Sequence, residues 1–303
     1  MSSVLRKLAN KGLVNPEPWL PDNVMYEAIT GSVSYGVSGD TSDVDICGFA
    51  IPPKDHVFPH LRGEIVGFGK HGERFDEFEK HHVKDVGAEK EYDLKIYSII
   101  KYFQLCMDCN PNMIDTLFVP INCIVHTTQV GQMVREKRHL FLSKKAWHTF
   151  KGYAYSQLNK MNGKDLEEGS KRALLRDKFG FDVKHAYNVV RLLDEVEQIL
   201  TEGDINLQRA SEKMKAVRRG DVPQELIVAE FYEKERGLER LYEASKLPWG
   251  PPEAQIKQLL IDCLEEHYGN LGNAIVLPDA STTALREIAE VIDRNRKVLY
   301  GGV

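Results

Sequence analysis

The rhythm of apolar and polar positions changes about halfway along this chain. Before residue 143, short apolar runs alternate with turn-forming stretches. Residues 24–31 (VMYEAITG) and 43–51 (DVDICGFAI) read as strands, the second ended by Pro52-Pro53. A short helix and a proline-bearing entry segment are expected over 1–25, and a turn or short helix over 54–60. The polar stretch 63–90 is expected to form a hairpin or a mobile loop. A short strand-like piece at Tyr92-Asp93-Leu94 then runs into an apolar helix ending near Cys109, where Asn110-Pro111 stops it. A short helix or strand over 113–119 and a helix over 127–140 complete this part. After it the apolar residues recur at helical spacing. Over 183–201, Ala186, Val189, Val190, Leu193, Val196 and Leu200 share one face, and Lys184, Asn188, Arg191 and Glu195 the opposite one. Further helices are expected over 145–161, 207–218, 223–245, 252–268 and 281–298. The pattern predicts an α/β (α+β) chain with two domains, 1–143 carrying a small mixed sheet and 144–303 an α-helical bundle.

Bulk composition narrows the classes of function. The 303 residues are 42% apolar and 28% charged, ordinary for a globular protein with a real core. No run of eighteen apolar residues predicts a membrane span, and the N-terminus MSSVLRKLANKGLV lacks the apolar core of a secretory signal. Five scattered cysteines (Cys47, Cys106, Cys109, Cys123, Cys263) read as buried small apolar residues in a reducing cytoplasm rather than as a zinc site or a redox pair. A net charge of −5 argues against coating long nucleic acid, which rests on many phosphate contacts. Local basic clusters remain at 135–139 (REKRH), Lys144-Lys145, Lys171-Arg172 with Arg176, and Arg218-Arg219.

The chemistry concentrates in ITGSVSYGVSGDTSDVDICGFAI, residues 29–51. Asp43 and Asp45, two apart on a strand, point to the same face. Side by side they repel, unless something positive lies between them. Mg²⁺ suits that need, since it takes oxygen ligands from one or two carboxylates together with substrate phosphates. Upstream, Gly31 lets the backbone approach a phosphate and Ser32 can hold its oxygens. Between them run Gly36, Ser38, Gly39, Thr41 and Ser42, a small-residue loop able to hug a ligand. An Asp-x-Asp alone is weak, because solvated turns often contain it. The combined order of Gly-Ser, loop and Asp-apolar-Asp-apolar favours a phosphate-handling site.

TGSVSYG followed by SDVDICG resembles the signature of the DNA polymerase β-type nucleotidyltransferase superfamily. More narrowly it is similar to bacterial and phage nucleotidyltransferases linked to RNA repair. The similarity continues through 101–118 and extends to 153–161 and 184–195. What the resemblance implies is a metal-dependent nucleotidyltransferase. Such an enzyme moves a nucleoside monophosphate from an NTP to a hydroxyl, here an RNA end such as a tRNA 3′ terminus, and releases pyrophosphate. It implies Mg²⁺ (or Mn²⁺), a third carboxylate on a later strand, and a helical domain that brings cations over the nucleotide.

Asp93 is the candidate for the third carboxylate. Glu91, on the same strand face, is its alternative, and a helix N-cap is the structural reading of Asp93. The nucleotide-binding candidates are Gly31, Ser32, Tyr35, Lys101, Lys184, His185, Asn188 and Arg191. Arginine and lysine on one helix face suit a triphosphate. For Lys101 a snorkelling stem is the competing reading, and for the 184–191 group an ordinary solvated face. Asp115 is expected to shape a pocket floor or cap a helix, Tyr153 and Gln157 to meet a base, and His81-His82 to be loop residues. Nucleotidylation of a protein or small-molecule hydroxyl, and a silent nucleotide- or RNA-binding module, are the rival functions. The intact Asp43–Asp45 pair opposes the silent module.

Overall fold

The computed structural model describes residues 3–39, 43–58, 66–67, 74–161 and 171–269, with isolated positions between 285 and 295. The chain divides into two compact units, residues 1–259 and 260–303. The first unit contains a five-stranded sheet made of β1 (Val24–Ile29), β2 (Val44–Ala50), β3 (Glu77–Asp85), β4 (Lys90–Ser98) and β5 (Ile124–Thr127), in the order β3-β4-β2-β1-β5. β2 and β4 run parallel, and the other neighbours are antiparallel.

Alternation divides the sheet into two faces. On one, Ile46, Ala50, Leu94 and Ile96 pack with Leu5 and Leu8 of helix α1 (Val4–Asn10). Glu27 is buried there. Its carboxylate accepts from Val4 N (2.6 Å), Leu5 N (3.0 Å) and Ser3 Oγ (3.0 Å), so the positive end of α1 partners it. On the other face the apolar half is aromatic. Phe49 lies 6.0 Å from Tyr26 and 4.8 Å from Tyr102, and Tyr26 donates to Thr116 O at 2.9 Å. Tyr102 and Thr116 belong to helices α4 (Ile99–Met107) and α5 (Pro111–Phe118), which follow a short α2 (Gly31–Ser34) and α3 (Lys54–Val57). Asn110 caps α5 by accepting from Met113 N, with Pro111 in the first turn, so the predicted stop is also a start.

Several expected boundaries move. β4 runs to Ser98, and Ser98 caps α4 through Lys101 N, so Asp93 is a strand residue and its reading as an N-cap is excluded. The stretch expected as a hairpin or loop contains β3, an edge strand, so His81 and His82 are strand residues rather than loop residues. The 127–140 helix begins later, as α6 (Gln129–Glu136), because β5 occupies the residues before it.

Helices then follow as α7 (Lys145–Met161), α8 (Lys171–Phe179), α9 (Val183–Glu202), α10 (Ser211–Arg219), α11 (Gln224–Ala244) and α12 (Glu253–Tyr268). α9 is the hub, packed against α7, α8, α10 and α11. Being surrounded, it buries the later half of its polar face as well as its apolar one. Arg191 is 3% exposed and Glu195 1%, which excludes an ordinary solvated face at these two positions. Gly203, at φ +66, ends the helix with its N–H on Ile199 O. In the second unit, α12 continues to Tyr268 and Cys263 is buried. Of the helix expected over 281–298, positions 285, 288, 289, 291, 292 and 295 are helical, and the remainder lies outside the described residues. Among the described residues no helix is long and apolar enough to cross a membrane.

Candidate active site

The site is built on the polar half of the aromatic face. In the parallel register, Asp45 of β2 stands beside Asp93 of β4. Two carboxylates on adjacent strands, on the same face, are therefore neighbours by backbone geometry alone. Asp43 is exposed just before β2. The Asp45 carboxyl is held above its usual range, first by burial and then by the charges of Asp93 and Asp43, while Lys184 and His81 pull it down. One group thus senses the acids and the cations together.

Gly31 lies directly on this cluster. Its φ is +64, and a Cβ built there would come within 2.3 Å of Asp45 Oδ2. Both conformation and space demand glycine. The strand end is tied to the same residue, since Thr30 N donates to Asp45 O at 2.8 Å. Ser32 follows in α2, part exposed. The helical part clasps the loop from outside: Gln208 Nε2 donates to Ser34 O at 3.2 Å, and Arg218 donates to Val37 O while lying 5.5 Å from the Tyr187 ring. Thr41 and Ser42 lie outside the described residues.

α9 starts at the N-cap Asp182, which accepts from Lys184 N (2.8 Å) and His185 N (3.3 Å). That cap leaves Lys184 exposed and within electrostatic reach of Asp45. His185 is tied to α7, its Nδ1 2.7 Å from Gln157 Oε1. Gln157 is thereby occupied and 4% exposed, which corrects its expected role at a base.

A sequence profile for RlaP, the RNA repair pathway DNA polymerase beta family, matches residues 4–261. The chain belongs to that family. RlaP membership makes it a DNA polymerase β-type nucleotidyltransferase by kinship, tied to RNA repair. No curated protein matches it. Among solved structures it is similar to a nucleotidyltransferase-like protein from Exiguobacterium sibiricum 255-15. That likeness has 10% identity and a TM-score of 0.27, covering 96% of this chain and 89% of the other.

Other sequence candidates of this RlaP chain lie elsewhere. Arg191 is a buried structural cation. It pairs with Asp115 and with Glu195 (3.1 Å), reaches Asn188 Oδ1 at 3.3 Å, and lies 4.6 Å over the Tyr35 ring. Tyr35 is 6% exposed and donates to Asp115 Oδ2 at 2.7 Å. Both residues are thus committed to a cluster that locks α5, α9 and the Gly31–Tyr35 segment together. Direct contact with a nucleotide is corrected to support from beneath, because leaving the cluster would strand buried acids. Burial pushes Asp115 and Glu195 upward, and Arg191 draws them back. Asn188 donates to Lys184 O at 3.0 Å and is half-buried. Lys101 lies beyond the far end of β4. The five strand steps from Asp93 to Ser98 alone span about 16 Å, which removes Lys101 from the acidic end.

Two residues went unrecognised in the sequence. His82 N donates to Asp93 Oδ1 at 2.8 Å, and His81 Nδ1 lies 3.5 Å from Asp93 Oδ2. Glu91, the alternative third carboxylate, is bonded to His82 Nδ1 at 2.7 Å and precedes the β2 pairing, which begins with Val44 beside Tyr92.

Proposed function

We propose that this chain transfers a nucleoside monophosphate from a nucleoside triphosphate to an RNA 3′-terminal hydroxyl, releasing pyrophosphate. The observation that carries the reading is the Asp45–Asp93 register pair beneath a glycine that nothing larger can replace. Residues 1–143 would carry the chemistry, and the helical part from 144 would cover the nucleotide.

The donor set suits a hard divalent cation. It is carboxylate oxygen only, and burial first, then the charges of Asp93 and Asp43, hold Asp45 up. Among the described residues no three His, Cys, Asp or Glu side chains converge tightly enough to hold a metal. The paired Asp45 and Asp93 would therefore begin the set, the exposed Asp43 would join it from the loop, and substrate phosphate oxygens would complete it. Bound there, Mg²⁺ or Mn²⁺ would supply charge neutralisation and Lewis acidity.

The chain's own residues do the rest. Gly31 and Ser32 lie against the phosphates at the strand end. Lys184 offsets their charge, and His185 and Asn188 hold the start of α9 in place beside it. The hydroxyl oxygen bonds to the α-phosphorus as the bond from that phosphorus to the bridging oxygen breaks. The electron pair departs with pyrophosphate, and Asp93 receives the hydroxyl proton. Catalysis of this kind rests on positioning and charge compensation. A short RNA end suits a chain of net charge −5 with local basic clusters. All five cysteines are free thiols, in keeping with a cytoplasmic enzyme.

The test is incubation with each labelled NTP, ATP included, with Mg²⁺ or Mn²⁺ and total tRNA. Labelled RNA is the expected product. Label on protein or a small molecule instead would overturn the RNA acceptor, and binding without transfer would overturn the enzyme reading.

A further inference from the structure

The edge strand β3 breaks its pairing at one place. Lys80 faces Leu94 and Val83 faces Tyr92, so His81 and His82 together face the single residue Asp93. This is a β-bulge, a device that re-aims groups beside functional sites. Its second residue, His82, has φ +55, a conformation that side-chain-bearing residues rarely adopt. The result is a backbone N–H turned onto Asp93 Oδ1 at 2.8 Å, where a regular ladder would spend it on the neighbouring strand. The ring of His81 stands 3.5 Å from Oδ2, with its other nitrogen 3.2 Å from Glu79. His82 Nδ1 is anchored on Glu91 at 2.7 Å. Every one of these contacts converges on or beside one carboxylate.

We infer that the His81–His82 bulge is a positioning device for Asp93: it clamps Oδ1 with a backbone donor and sets the His81 ring beside Oδ2, fixing the orientation of the carboxylate. The inference rests on Asp93 being the third metal-holding carboxylate. The competing explanation is that the bulge only twists an exposed edge strand to discourage strand addition.

The bulge can be removed without disturbing what flanks it. Lys80 and Val83 lie on the same sheet face although three residues apart, because of the extra residue. Deleting His82 would restore strict alternation, with His81 opposite Asp93 and Val83 still in the core. A second pair of variants tests the same backbone feature without a deletion. His82→Gly keeps the positive φ, whereas His82→Val, β-branched, opposes it.

The readout is Mn²⁺ affinity of the full chain by electron paramagnetic resonance, with thermal unfolding recorded in parallel and Asp45→Asn as reference. Loss of an outer partner of a metal ligand typically weakens binding about 10–100-fold. The deletion and His82→Val should therefore bind Mn²⁺ at least about tenfold more weakly than wild type, while His82→Gly stays near it. Wild-type affinity in folded His82→Val or in the deletion would overturn the positioning role and leave the metal site standing. Wild-type protein that binds Mn²⁺ no better than Asp45→Asn would bring down the metal site itself, and the clamp with it.

Discussion

Replacing Gly31 with alanine separates two demands that the structure makes at one residue. The φ of +64 puts an L-side chain in the left-handed region, which costs about 1–2 kcal/mol. The new Cβ would also lie 2.3 Å from Asp45 Oδ2, so the carboxylate or the backbone must give way. Restoring ordinary contact takes a shift of about 1 Å, and misplacement of that size can lower a rate by about 100-fold. Gly203 provides the control. It has φ +66 but meets nothing nearer than Leu247 Cδ2 at 3.8 Å. Gly203→Ala should show the conformational cost alone, a fall in Tm of roughly 2–8 °C, with nucleotide transfer intact. Gly31→Ala should show a similar fall in Tm and lose transfer to labelled RNA by about two orders of magnitude. Equal transfer in the two variants would refute the claim that Gly31 is shaped around Asp45.

Other expectations follow from the same geometry. Arg191→Met strands Asp115 and Glu195 without their cation and should lower stability by about 3–5 kcal/mol at neutral pH in urea unfolding. Because burial raises both carboxyls, acidification through the ordinary carboxylate range should recover part of that loss; a pH-independent deficit would contradict the cluster. Asp45→Asn should abolish transfer, yet Tm at pH 7 should equal or exceed wild type. A raised carboxyl destabilises the fold above its unfolded pKa, so the gain should vanish below about pH 3.5; loss of Tm at pH 7 would count against a carboxylate held at a cost by burial and its acidic neighbours. Lys184→Gln should raise the KM for NTP with little change in Tm, whereas Lys101→Ala should leave both unchanged. An effect confined to Lys101→Ala would reverse the placement of the two lysines.

What the sequence disclosed follows from how local each feature is. Gly31, Asp43 and Asp45 lie within fifteen residues of one another, and period-two alternation alone puts the two acids on one face. Asp93 was legible as an acid flanked by apolar residues on a later strand, although which acid lay beside Asp45 depended on a register that only the sheet defines. The change from strands to helices was visible in apolar spacing. The burial of Arg191 was not legible, because cations on one helix face suit a phosphate and the partner that draws it inward, Asp115, is 76 positions away. The bulge left a faint trace. Phe78 and Val83, the apolar positions that pack on or into one face, are out of step with a period of two, and such a slip is how an extra residue announces itself.

The central claim is that Asp45 and Asp93, paired across β2 and β4, hold divalent metal for a nucleotide. Anomalous scattering from crystals soaked with Mn²⁺ and a non-hydrolysable NTP tests it most directly. A manganese peak touching both carboxylates and a phosphate oxygen is predicted. Nucleotide density with no manganese beside either residue would contradict it.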